Sequence, residues 1–138
     1  MNEIPASFAG NLTRDPELRF TQSGQAVASI SVAVTPRRYN ATTNTYEDGT
    51  TSFIEGSVWG DQAQNVADSL HQGDRVTVIG HFVTRVYTPD QGRNAGHEVR
   101  KLEVLVDEIG PSLRWATAEP VKTKRQGDDA PAPEEPPS

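Results

Sequence analysis

From Gln25 to Thr35 the even positions Ala26, Ala28, Ile30, Val32 and Val34 are all apolar, while Ser29, Ser31 and Thr35 stand between them. Side chains of an extended chain alternate between two faces, so this pattern fits a half-buried β-strand and not an amphipathic helix. A strand with one apolar face must find sheet neighbours and a second layer to cover it. The same period recurs from Arg75 to Thr88, where Val76, Val78, Phe82 and Val86 oppose Arg75, Thr77, His81, Arg85 and Tyr87, although Ile79 and Val83 blur it. Val99 to Val106 places Leu102, Val104 and Val106 on one side. Segments around Ile4 to Leu12 and Thr51 to Trp59 complete five expected strands.

One segment, Gln62 to His71, has helical spacing, with Ala63, Val66, Ala67 and Leu70 apolar and Gly73 suited to stop it. Two connections are long for hairpins: Arg37 to Thr50, with Asp48-Gly49 as its turn signal, and Pro89 to Gly96. Three strands, one helix and two strands are the order of an OB-fold. This is an all-β, five-stranded Greek-key barrel with a helix between strands three and four, whose strand faces and loops bind oligonucleotides and oligosaccharides. Pattern alone leaves an SH3-like barrel or another small sheet open.

Composition narrows the functions. The chain has 138 residues and no cysteine, so thiol nucleophiles and thiolate metal sites are excluded, and three scattered histidines offer poor metal chemistry. No apolar run approaches the ~20 residues of a membrane span and the amino terminus carries no export pattern, which leads us to expect a soluble, cytoplasmic, nucleoid-associated protein. From Ala116 onward five of the ten prolines accumulate, and we expect residues 1–115 to form the domain and 116–138 a disordered, acidic, proline-rich tail. The chain carries 13 basic and 19 acidic residues; three and five of these belong to the tail, so the body stays acidic at −4. Binding to nucleic acid through bulk charge is thereby disfavoured, and any such binding must be local.

The local feature is aromatic. Phe53 and Trp59 fall on the odd, polar side of their strand with Glu55 and Ser57; Tyr87 shares a side with Arg85 and His81; Tyr39 follows Arg37 and Arg38 at the mouth of the long loop. Rings beside cations suit single-stranded nucleic acid, because each base offers a π face to stack and each phosphate needs a positive partner. Any one of these rings taken alone is as readily explained as core or interface. Together, each on a polar face or beside an arginine, they favour binding. Phe8, Phe20 and Phe82 are assigned to the core, and Arg14, Arg19, Arg93, Arg100 and Lys101 to solvated surface charge. Nothing resembles a catalytic site: the histidines are isolated, no nucleophile or phosphate-loop motif is present, and Asp107-Glu108 are strand neighbours expected on opposite faces. We expect no enzyme, no cofactor and no metal.

Beyond these patterns, residues 3 to 118 resemble the bacterial single-stranded DNA-binding proteins, the actinobacterial ones in particular. The carriers are Gly10-Asn-Leu-Thr-Arg-Asp-Pro-Glu-Leu-Arg-Phe20, Gly24 to Val34, Asn65-Val-Ala-Asp-Ser-Leu70, and Asp107-Glu-Ile-Gly-Pro-Ser-Leu-Arg-Trp-Ala-Thr-Ala118. The resemblance implies an OB barrel assembled as a homotetramer that protects single-stranded DNA during replication, recombination and repair. It also implies base stacking by Tyr39, Phe53, Trp59 and Tyr87, with phosphate contacts from Arg37, Arg38 and Arg85. It further implies that Asp107 to Arg114 extends a strand and clasps a neighbouring subunit, which makes Trp115 an interface or core residue.

Two departures stand out. Ile54 occupies a place that is often polar at the family's subunit interface. The tail closes on Glu134-Glu-Pro-Pro-Ser138 without the apolar tip that docks replication and repair enzymes, from which we expect weak recruitment of such partners and a paralogue or phage-encoded form. Two other readings stay in view: an OB-fold scaffold whose aromatic face serves a protein, and a nuclease, for which clustered carboxylates are lacking.

Overall fold

A computed structural model describes residues 2–123. Eight strands and one helix follow in order: β1 Ile4–Leu12, β2 Glu17–Phe20, β3 Ala26–Val34, β4 Arg37–Asn40, β5 Thr45–Asp48, β6 Ser52–Trp59, α1 Asp61–Ser69, β7 Arg75–Tyr87 and β8 Val99–Pro111. The five expected strands are β1, β3, β6, β7 and β8, and they form one ring. β1 pairs antiparallel with β7, β7 with β8, β8 parallel with β6, β6 antiparallel with β3, and β3 returns to β1. This is the OB-fold barrel. Its two closing seams are short, two residue pairs each: Asn11 and Leu12 against Ala33 and Val32, and Gly56 and Ser57 against Val104 and Leu105. The barrel is therefore partly open.

Glycine makes the β6–β8 seam. A Cβ on Gly56 would sit 2.9 Å from the Val104 carbonyl oxygen, closer than real Cβ contacts come, so only a bare backbone lets the two strands meet. Inside, the even positions of β3 meet Leu12, Val58, Val76, Val78, Val104 and Val106 in a nearly solvent-free core, capped by Ala63, Val66 and Leu70 from the helix side. Burial of these aliphatic side chains, each worth roughly 1.5–3 kcal/mol, sets the strand faces and with them the direction of every outward residue. Ile54 packs against this core, as do Phe8 and Phe82.

Several local expectations are corrected. Phe20 is not core; it is 59% exposed, because β2 is a four-residue edge strand and Phe20 is its last residue, opposite Ala26 and past the layer that half-buries Leu18. The long loop holds a second small sheet, β4 with β5, and its turn lies at residues 41–44, where Asn44 takes a φ of 58°. Asparagine tolerates this left-handed conformation better than most residues. Gly49, expected to turn the hairpin, instead donates its N–H to Pro36 O at 2.7 Å and closes the base of the loop. The helix ends at Ser69, two residues early, because Leu70 turns extended to plug the core and Asp74 accepts the His71 N–H at 2.8 Å.

β8 runs on to Pro111, five residues past the alternation that ends at Val106 and three short of the extension to Arg114 that the resemblance implied, pairing there with the first half of β7. Its register shifts once: Gly80 faces Val106 and Ile79 faces Glu108, so Asp107 is the extra residue of a β-bulge. Asp107 and Glu108 are consequently both exposed, which strict alternation does not allow. Residues 116–123 carry neither helix nor strand, and Thr123 Oγ1 donates to Asn65 Oδ1 of α1 at 3.4 Å. The remainder of the expected disordered tail, with the close at residues 134–138 that lacks an apolar docking tip, lies outside the described residues.

Candidate nucleic-acid interface

Because Val58 and Gly56 face the core, the odd residues of β6 face out: Phe53, Glu55, Ser57 and Trp59. On the neighbouring strands the same logic turns out Lys101 and Glu103 from β8, Arg85 and Tyr87 from β7, and Ser29 from β3. Three of the four expected rings thus share one sheet face. Phe53 is 70% exposed, and Trp59 and Tyr87 are each 41% exposed. Phe53 and Trp59 stand six residues apart on one strand, ~20 Å, far enough to meet different bases. The indole N–H of Trp59 donates to Ser57 Oγ at 3.3 Å, which orients the ring along the face.

The polar side chains between the rings are paired across strands. Lys101 Nζ donates to Glu55 Oε2 at 2.6 Å, linking β8 to β6, and Arg85 Nη1 lies 3.6 Å from Glu103 Oε2, linking β7 to β8. The hydrogen bond from Lys101 holds the Glu55 carboxyl below its ordinary value, and the same bond raises the Lys101 ammonium above its own. At the edge, Arg19 Nη1 donates to Ser29 Oγ at 3.2 Å.

Tyr39 belongs to the separate β4–β5 hairpin. There it packs edge to face on its cross-strand partner Tyr46, with ring centroids 5.3 Å apart, and its hydroxyl bonds Asn44 Oδ1. Arg37 Cζ lies 5.9 Å from the Tyr46 centroid while its Nε sits 3.8 Å from Asp48 Oδ1; Arg38, on the opposite side of the strand, is exposed. The hairpin therefore offers its own ring pair and cations as a unit.

Sequence reasoning missed Tyr46, Lys101 and Glu55. Tyr46 was legible only if Asn40 to Thr45 had been taken as a hairpin turn, which would have set it opposite Tyr39. Lys101 was assigned to solvated surface; its odd register with Glu103 was the available signal. Trp115, read as interface or core, is not core: it is 74% exposed in the chain, with the guanidinium carbons of Arg75 and Arg114 at 4.9 and 5.0 Å from its ring centroid. No group of three or more His, Cys, Asp or Glu residues able to hold a metal occurs among the described residues.

Residues 4–112 match the single-strand binding protein family. The chain belongs to that family. It is 45% identical over 126 residues to a single-stranded DNA-binding protein of Paenarthrobacter aurescens, covering 91% of this chain and 71% of that protein. It is 47% identical over 121 residues to one of Mycobacterium tuberculosis, covering 88% of this chain and 71% of the other. A crystal structure of a small single-stranded DNA-binding protein from Streptomyces coelicolor superposes with a TM-score of 0.66 at 28% identity, covering 82% of this chain and 97% of that one. These relatives are actinobacterial, as the resemblance implied. Among the described residues no helix is long and apolar enough to cross a membrane.

Proposed function

We propose that this family member binds single-stranded DNA with little sequence preference, in the cytoplasm, during replication, recombination and repair. Bases stack on Phe53, Trp59 and Tyr87 of the sheet face and on Tyr39 of the hairpin, and Arg37, Arg38 and Arg85 take the phosphates. The observation that carries this reading is the outward sheet face of β6, β7 and β8, on which three exposed rings stand among charged side chains in a chain of this family. Every base has a π face, so stacking gives affinity without sequence readout, and duplex, whose bases are already stacked, is excluded.

A homotetramer is part of the same reading. Its support is the outer edge of β1: Ile4 to Gly10 pair with β7 on one side only among the described residues, leaving backbone donors and acceptors that a second copy can satisfy. Light scattering that gives a monomer mass at working concentration removes the assembly and leaves the DNA reading standing.

The test of binding uses Trp115→Phe, so that Trp59 is the only tryptophan. Titration with oligo-dT quenches the remaining emission and saturates at a defined site size, while duplex of equal length does not. No quenching from a folded sample refutes the stacking face and assigns these aromatics to a protein partner.

A further inference from the structure

Resting on the single-strand reading above, we infer that Lys101 and Arg85 of the sheet face are held in reserve by carboxylates, and that Glu55 sets how tightly and how salt-dependently DNA binds. Glu55 lies on β6 between Phe53 and Trp59, on the same outward side, where a phosphate passing between the two rings meets a negative charge. That charge is answered by Lys101, 2.6 Å away from the adjacent strand. Arg85 is engaged in the same way by Glu103, whose side chain is only 15% exposed, and on the hairpin Arg37 faces Asp48 at 3.8 Å.

A phosphate that takes Lys101 must displace a carboxylate already bonded to it. The exchange conserves one ion pair, so the net gain is small. It also leaves Glu55 to recruit a cation from solution, which cancels a counterion released from the DNA. For each phosphate neutralised, single-strand affinity falls by ~0.7 logarithmic units per tenfold rise in salt, and each exchanged pair removes one such increment from the slope. The face is then governed mainly by stacking, and Lys101 and Arg85 each take a phosphate at a smaller gain than a free cation would until their carboxylates are removed.

The experiment follows anisotropy of fluorescently labelled oligo-dT against the full chain between about 50 and 200 mM salt. Glu55→Gln keeps the shape of the side chain and frees Lys101. We expect about fivefold tighter binding at low salt and a slope steeper by about 0.7. Lys101→Gln, which leaves the Glu55 charge unanswered between the rings, weakens binding in the unsubstituted chain and abolishes the gain in the Glu55→Gln background. Glu103→Gln repeats the test at Arg85, should Glu55→Gln not fold. Unchanged or weaker binding by folded Glu55→Gln and Glu103→Gln, with Trp59→Ala still impaired, overturns the exchange alone. If the unsubstituted chain does not bind oligo-dT, the single-strand reading fails and this inference with it.

Discussion

The two tryptophans of this chain are placed in opposite ways. Trp115 is the more exposed, at 74% against 41%, yet guanidinium groups of Arg75 and Arg114 both lie on its ring. Trp59 lies opposite Val27 with its N–H on Ser57 Oγ, and two cations farther along its sheet face are spent on carboxylates: Lys101 on Glu55, Arg85 on Glu103. A ring that already carries cations has its π surface in use, whereas a ring on a face whose cations are turned to carboxylates keeps its own face free for a base. Exposure therefore does not rank these residues for binding; what each ring already touches does.

The largest effect that can break this contrast is at Trp59. Replacing it with alanine lowers affinity for oligo-dT by ~1–3 kcal/mol, as read by anisotropy of labelled DNA; an unchanged Kd in a folded variant removes Trp59 from the site. Tyr46→Ala comes next. Loss of the edge-to-face pair with Tyr39 weakens binding by ~0.5–1.5 kcal/mol through a hairpin that no longer holds Tyr39 in place, and Tyr46→Phe restores it.

Trp115→Ala is the converse variant: two exposed cation–π contacts are lost, lowering stability in urea by ~1 kcal/mol, while oligo-dT affinity stays unaltered. A large affinity loss there would equate the two tryptophans. The smallest effect is the pH dependence of the Lys101–Glu55 pair, which is partly exposed and so contributes no more than ~1 kcal/mol. Glu55 is held below its ordinary 4.5, so its contribution is present above that pH and is lost as pH falls through the lowered value. Lys101 is raised above 10.5, so its contribution is full below that pH and is lost as pH rises through the raised value. Comparing urea unfolding of the unsubstituted chain with Glu55→Gln across this range checks both limbs.

Much of this was legible in the order of residues. The alternation of Ala26 to Val34 assigns inward and outward sides without reference to any neighbour, and because β6 pairs with it in register, Phe53 and Trp59 follow. What period-two reasoning misses are the elements where a local rule yields to a longer-range one. Phe20 is apolar and correctly phased but lies at the end of an edge strand, where no layer remains to bury it. The β4–β5 hairpin turns through Asn44, so the Asp48-Gly49 signal marks a loop closure instead. The pairing of Lys101 with Glu55 joins residues 46 apart, across a parallel seam that only the closed barrel creates.

The bulge at Asp107 gives β8 a reading frame. Upstream of it Val104 and Val106 take the interior, and downstream the phase is restarted so that Ile109 packs against the core in place of Glu108. One extra residue thus serves as a correction between two halves of a strand that are each in phase with β7 and out of phase with each other. Single-residue insertions or deletions along β8 would invert everything beyond them, carrying carboxylates inward and aliphatic groups out, while changes in pairs would leave the phase unaltered. Length variation in this strand is accordingly constrained by parity more than by size.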